Sequence, residues 1–191
     1  RNAVSRRAYN ARGYARGGNM QRIKPLKTSL RDFGGDGLSK TDLTEMLTGR
    51  TASLSLNLTR EESYINGSAS AEDFELMLQL LHLYMTDPNI TDAELDRIKE
   101  RLTISLEKSP QDKRDTAYRL NVEKYGEHPW LEQLTPEGIS SLNAAEAKGL
   151  YDSFFGNASD YTFYFTGAIP AAQAKELIGK YVGSLPAKAR S

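Results

Sequence analysis

Residues 51–58 alternate strictly between apolar and polar side chains. The apolar positions are Ala52, Leu54, Leu56 and Leu58, and Thr, Ser and Asn stand between them. Because successive side chains of a strand point to opposite faces, this pattern predicts a strand with one buried and one solvated face. Residues 62–68 follow after a short polar stretch and predict the second strand of a β-hairpin.

The segment from Ser70 to about Met85 carries apolar residues on two sides of a helix. These residues form two stripes at helical spacing, one of Phe74, Met77, Leu78, Leu81 and Met85 and the other of Leu76, Leu80 and Leu83. A helix that is apolar on two sides is packed between other elements. The run Ser70-Ala71-Glu72-Asp73 predicts a capping box at its start, and Asp87-Pro88 predicts its end.

Turn and capping residues divide the rest of the chain. Pro25 predicts that any helix within residues 20–33 begins near that proline, which suits a first helical turn. The run Tyr161 to Gly167 is rich in aromatic residues, which predicts a central strand, and residues 9–15 predict a short strand. Capping residues predict further helices over 42–47 (capped by Ser39 or Thr41), from Thr91 toward Pro110, and over 113–125, 143–155 and 171–182.

This order of elements predicts an α+β fold. Strands paired as hairpins, then a run of helices, then one strand and one helix favour a two-layer sandwich. Its sheet is expected to be mostly antiparallel, with the helices packed on one face. The sequence shows no internal repeat, and its 191 residues suit one domain over 1–191.

Composition excludes several classes of protein. No apolar run reaches the ~20 residues that span a bilayer, and the charged start has no apolar stretch behind it, so neither a membrane span nor a signal peptide is expected. The sequence contains no cysteine. Disulfides, thiolate zinc sites, iron–sulfur clusters and cysteine nucleophiles are therefore all excluded.

The net charge of zero conceals a strongly basic segment. Residues 1–31 hold nine Arg or Lys and no acidic residue, and the remaining 160 residues hold 16 basic and 25 acidic ones. One hypothesis is a nucleic-acid-binding arm, supported by Tyr9, Tyr14 and the Arg-Gly pairs between residues 11 and 18. The alternative is a strand and helix whose basic face meets the acidic remainder of the chain or a partner.

The sequence offers no complete catalytic motif. Its two histidines, His82 and His128, lie 46 positions apart, and neither H-E-x-x-H nor H-x-x-E-H occurs. A zinc site on adjacent helical turns is therefore excluded, and one His joined by distant carboxylates stays open. The run Gly35 to Thr41 lacks the glycine that a phosphate-binding loop needs before its lysine. Read from the residues alone, the chain has no active site of its own.

Five segments in a fixed order nevertheless resemble a known family. They are Tyr84-Met85-Thr86-Asp87-Pro88, residues 92–102, Gly126-Glu127-His128-Pro129-Trp130, Phe165-Thr166-Gly167-Ala168-Ile169 and residues 178–186. Over about residues 11–187 the chain resembles the pitrilysin/insulinase-type zinc peptidases, which include the mitochondrial processing peptidases and their bacterial relatives. Proteins of this family consist of paired halves with a two-layer α+β fold.

The resemblance implies that this chain is a domain of the non-catalytic half. The catalytic half carries H-x-x-E-H and holds the zinc, while the other half keeps the fold and completes a chamber for peptide substrates. Arg50 is the counterpart of a substrate-holding arginine, and substrate contact is expected at residues 52–56 and in the turn from Gly34 to Ser39, including Gly35 and Gly37. No metal residue is expected in this chain.

The partners implied are the H-x-x-E-H half, on the same polypeptide or a separate subunit, and a peptide. The family also implies a soluble protein, periplasmic or otherwise extracytoplasmic in a bacterium. Two alternatives stand beside this hypothesis. One is a purely structural or assembly subunit of the same fold, and the other is nucleic-acid binding through residues 1–31.

Overall fold

The computed structural model describes residues 4–10 as backbone and residues 19–188 in full. In chain order the elements are β1 (Val4–Asn10), α1 (Met20–Ser29), β2 (Gly34–Gly35), α2 (Lys40–Met46), β3 (Ser53–Leu58), β4 (Ser63–Ala69), α3 (Phe74–Thr86), β5 (Pro88–Asn89), α4 (Asp92–Glu107), α5 (Gln111–Tyr125), α6 (Pro136–Ser140), α7 (Ala144–Phe155), β6 (Thr162–Thr166) and α8 (Ala171–Tyr181). Short 3₁₀ turns precede α6 and β6. No helix within these residues has both the length and the hydropathy to cross a bilayer.

Four of the strands form one antiparallel sheet in the order β3-β4-β1-β6. The predicted hairpin is confirmed as β3 and β4, which pair from Ser53 opposite Ser68 to Leu58 opposite Ser63. A second, two-stranded pairing joins β2 to β5. Together with helices on the apolar side of the main sheet, this architecture confirms the predicted α+β two-layer fold.

The helix α3 forms the centre of the core. The first predicted stripe is buried throughout, with no exposed surface on Leu78, and in the second Leu80 is buried while Leu76 and Leu83 are partly buried. The helix lies so close to β4 that a Cβ placed on Gly67 would stand 2.7 Å from the Met77 sulfur. The opposite side of α3 packs against α7 and α8. A double-sided apolar helix is therefore the element that joins the sheet to the outer helices.

Three helix starts follow the predicted caps. The side chains of Ser39, Thr91 and Asn143 accept hydrogen bonds from the backbone N–H three residues ahead. Ser39 also forms a reciprocal capping box with Asp42. These caps depend on contacts within four residues, which the sequence alone specifies.

The structure corrects three predictions about these elements. Pro25 does not begin a helix but lies inside α1, where its buried side chain contributes to the core and tertiary packing outweighs the missing N–H. The capping box at Ser70–Asp73 forms only in half: the Ser70 hydroxyl accepts from the Asp73 amide at 3.3 Å, but the Asp73 carboxylate accepts from Thr51 rather than from the Ser70 amide, and α3 begins at Phe74. The strand at 161–167 is not central, since β6 is an outer strand of the described sheet.

The predicted strand at 9–15 overlaps the strand that forms only at Tyr9 and Asn10. Strand β1 covers Val4–Asn10, and residues 11–15 fall outside the described residues. It pairs with β4 on one side and with β6 on the other. The basic segment therefore contributes a strand to the interior of the sheet.

Candidate functional site

The free edge of β3 is the first feature of the candidate site. Within the described sheet, β3 pairs with β4 alone. The Thr59 amide donates to the Glu62 carbonyl across the hairpin turn, at 2.7 Å. Because bonded pairs alternate along an antiparallel ladder, the amides and carbonyls of Leu54, Leu56 and Leu58 point away from β4. This edge presents the backbone groups that an added strand requires.

The sheet face opposite the helices is polar. On this face, the cross-strand pairs of β3 and β4 are Ser53 with Ser68, Ser55 with Asn66, and Asn57 with Tyr64. The hydroxyls of Ser53 and Ser68 lie 2.9 Å apart. On β6 the same face carries Thr162, Tyr164 and Thr166, all exposed. Such a surface can form hydrogen bonds with a polypeptide that lies along it.

Arg50 lies just before β3, in an ion pair with Asp73. Its Nε stands 3.0 Å from Asp73 Oδ1, and 53% of the arginine side chain is exposed against 7% of the aspartate. The other aspartate oxygen accepts from the Thr51 amide and hydroxyl, each at 2.7 Å. Asp73 therefore ties the start of β3 to the start of α3 and fixes where the Arg50 side chain leaves the surface.

These contacts also set the protonation of Asp73. Hydrogen bonds from the Thr51 amide first and its hydroxyl second, followed by the charge of Arg50, hold the pKa of Asp73 below its ordinary value of 3.8. The carboxylate is thus the form that the site stabilises. Sequence reasoning missed this residue, because Asp73 was assigned to a cap and its partner lies 22 positions away.

The predicted glycines lie at the other end of α3. Gly35 is buried, and a Cβ on it would stand 2.5 Å from Leu83 Cγ, whereas Gly37 is exposed with a φ of +71°. Asp73 and Leu83 are ten residues apart, which corresponds to about 15 Å along a helix. The structure therefore does not bring Arg50 and the two glycines into one small pocket. An extended peptide of about five residues would span that distance.

The described residues contain no donor set for zinc. No group of three or more His, Asp or Glu lies close enough to hold a metal ion in residues 19–188. His82 stands in α3 with its Nδ1 3.5 Å from the Thr86 hydroxyl, and His128 lies beside Trp130 with 5.5 Å between ring centroids. The residues present do not fit the zinc that the family resemblance implies for the catalytic half.

Arg22 and Lys24 of the basic segment have intramolecular partners. Arg22 Nε forms an ion pair with Glu146 at 2.9 Å, and its Nη1 donates to the Ser141 hydroxyl at 2.7 Å. Lys24 Nζ donates to the Glu132 carbonyl, and burial lowers the pKa of this lysine. These contacts favour the hypothesis that the basic segment meets the acidic remainder of the chain.

Residues 126–130, one of the five segments of the family resemblance, contact the β3–β4 hairpin. The Arg60 guanidinium, in the hairpin turn, lies 4.6 Å from the centroid of the Trp130 ring and 5.9 Å from that of Tyr125. The Tyr125 and Trp130 rings pack edge to face at 5.4 Å. This stacking fixes the tip of the hairpin at one end of the β3 edge.

Comparison by sequence identifies no relative. No protein-family profile matches the chain, and no curated protein matches its sequence.

Comparison by structure finds peptidases. The chain is similar to the ferredoxin protease FusC, solved with Arabidopsis ferredoxin, with a TM-score of 0.82 at 18% identity over 99% of this chain. It is similar to the periplasmic protease PqqL of Escherichia coli, with a TM-score of 0.79 at 18% identity over 98% of this chain. It is also similar to a peptidase M16 inactive domain from Pseudomonas fluorescens, with a TM-score of 0.76 at 18% identity over 98% of this chain.

The relatives are longer than this chain. The chain spans 21% of the length of FusC and of PqqL, and 47% of the Pseudomonas protein. The fold that the family resemblance implies is confirmed, since this chain has the fold of domains in M16, or pitrilysin-type, peptidases.

Proposed function

We propose that this chain is a non-catalytic domain of a pitrilysin-type zinc peptidase. Its work is to form part of the peptide chamber and to dock onto an H-x-x-E-H half that holds the zinc. The fold of M16 peptidase domains, including one described as inactive, supports the proposal, as does a sequence without the zinc motif. The observation that carries it is the β3 edge, which pairs with no strand but β4 among the described residues, beside a polar and at least partly exposed sheet face.

In this proposal an extended peptide pairs with β3. The amides and carbonyls of Leu54 and Leu56 supply main-chain hydrogen bonds that do not depend on the peptide sequence. Arg50, at the start of the strand and half exposed, binds a carboxylate of the peptide. The turn from Gly34 to Ser39 is the second proposed contact, where Gly35 packs against Leu83 and Gly37 lies at the surface.

One pair of variants tests the pairing with β3. In the enzyme assembled with its H-x-x-E-H half, Leu54→Pro removes an amide that faces the free edge, and Leu54→Ala removes the same side chain but keeps that amide. Proline is tolerated where a strand N–H faces outward, so both variants are expected to fold. We expect Leu54→Pro to lower kcat/KM for a fluorogenic peptide about tenfold relative to Leu54→Ala.

Equal kcat/KM values for the two variants would favour the alternative, a structural subunit of the same fold that does not contact the peptide. Circular dichroism and thermal unfolding of both variants check that the sheet is intact. A peptide carrying a photoactivatable crosslinker gives a second readout, because pairing predicts labelling within residues 50–58.

The same proposal places the chain outside the cytoplasm. Its support is the similarity to PqqL, which is described as periplasmic. Fractionation of the source cells checks this, and recovery in the cytoplasmic fraction would contradict it.

A further inference from the structure

A cavity of about 530 Å³ opens between α1, α4 and α7, away from the peptide site described above. Most of its wall is apolar, and its principal residues are Pro25, Leu26, Leu95, Ile98, Ala147 and Leu150. Ligand sites of proteins have volumes of roughly 300–1,000 Å³ and are mostly apolar with a few polar groups. Size and lining therefore match a site for a small molecule.

Ser29 supplies a polar group that nothing in the described chain satisfies. Its side chain lines the cavity and is 1% exposed, and its Oγ has no hydrogen-bond partner among the described residues. A serine in a helix commonly donates to the carbonyl four residues earlier, which here is that of Pro25. The Thr28 hydroxyl donates to that carbonyl, at 2.9 Å. A buried hydroxyl without a partner is unfavourable, and a ligand in the cavity would satisfy it.

Gly149 leaves open space in the wall of the cavity. It lies inside α7, and glycine inside a helix stabilises that helix less than alanine does. A Cβ built on it would meet no atom within 4 Å, so no described neighbour requires the missing side chain. The bare backbone at this position allows a bound molecule to approach the helix closely.

The charges at the rim cancel each other. Arg22 and Glu146 both line the cavity and form an ion pair at 2.9 Å, and Arg22 also donates to Ser141. A ligand with a negative or positive group would have to compete with this pair. The rim therefore favours an uncharged molecule.

We propose that this cavity binds an uncharged, mainly apolar small molecule whose single hydroxyl, carbonyl or N–H group forms a hydrogen bond with Ser29. The apolar body of the ligand packs against Leu26, Ile98 and Leu150, and its surface approaches Gly149. This site is independent of the proposed peptidase function, which uses the β3 edge.

The test uses N-phenyl-1-naphthylamine, an uncharged fluorescent probe with one N–H group. We expect saturable binding of one probe per chain, with enhanced emission. Ala147→Phe fills the cavity and should abolish binding. Ala145→Phe makes the same substitution at an exposed position of α7 and should leave binding unchanged. No saturable binding by the native chain, or equal binding by both Phe variants, would overturn the proposal.

Two smaller substitutions keep the test valid if Ala147→Phe does not fold. Ser29→Ala should weaken probe binding about three- to tenfold, yet raise the melting temperature of the free protein, because it removes an unpaired buried hydroxyl. Gly149→Ala should likewise raise the melting temperature and weaken binding. Unchanged affinity in both variants would contradict the proposal.

Discussion

At the scale of single residues, Asp73 makes the contacts that orient the start of β3. Its carboxylate binds the amide and hydroxyl of Thr51 and the guanidinium of Arg50. Local sequence around Ser39, Thr91 and Asn143 was enough to predict their capping bonds, because each partner lies three residues away. The bond from Thr51 to Asp73 could not be predicted in this way, since it depends on the packing of the hairpin against α3.

The lowered pKa of Asp73 predicts how its contribution to stability depends on pH. A carboxyl group whose pKa is lower in the folded state stabilises the protein fully above its unfolded pKa. That contribution is lost as the pH falls below about 3.8 through the folded pKa. The difference in unfolding free energy between the native protein and Asp73→Asn should therefore be constant near neutral pH and shrink in acid.

Denaturant unfolding between pH 7 and pH 2.5 measures this difference. Asp96→Asn, at an exposed residue of α4, is the control and should change stability little at any pH. A difference that stays constant down to the lowest pH would show that the Asp73 contacts do not favour the carboxylate.

The fit of Gly35 against α3 gives a second prediction at this scale. Gly35→Ala places a Cβ within 2.5 Å of Leu83 Cγ and should lower the unfolding free energy by about 1–3 kcal/mol. In a Leu83→Ala background the same substitution should cost only a few tenths of a kcal/mol. Equal costs in the two backgrounds, measured by chemical unfolding, would show that the two residues do not interact.

At the scale of elements, the hydrophobic periodicity predicted which segments form helices and strands. It predicted less well the position of each strand within the sheet. The hairpin at β3 and β4 and the buried helix α3 follow directly from their apolar spacing. The interior position of β1 and the outer position of β6 depend on strand order, which hydropathy does not encode. The helix α1 continues through Pro25 because the surrounding core buries that residue.

The stacking of Arg60 on Trp130 is an element-level contact that can be measured. Trp130 is the single tryptophan of the sequence, so tryptophan emission reports on the surroundings of this one side chain, which include Arg60. Arg60→Ala should shift its emission to longer wavelength and destabilise the fold by about 0.5–1 kcal/mol. Arg119→Ala, on the exposed helix α5, is the control. Identical emission spectra for the two variants would contradict the stacking.

At the scale of the whole molecule, the described helices lie on one face of the sheet, its other face is polar and at least partly exposed, and the β3 edge has no further partner among the described residues. The family resemblance in five short segments predicted this fold correctly, although the identity to solved relatives is only 13–18%. The cavity beside Ser29 could not be predicted, because its walls come from α1, α4 and α7. The sequence of any one of these helices does not predict that the three helices leave a cavity between them.

The zinc content of the purified, desalted chain tests the central claim most directly. Elemental mass spectrometry should find essentially no zinc on this chain, because a non-catalytic domain leaves the metal to its H-x-x-E-H partner. Zinc near one ion per chain would contradict the account. His82, His128 and nearby carboxylates would then be the ligands to mutate.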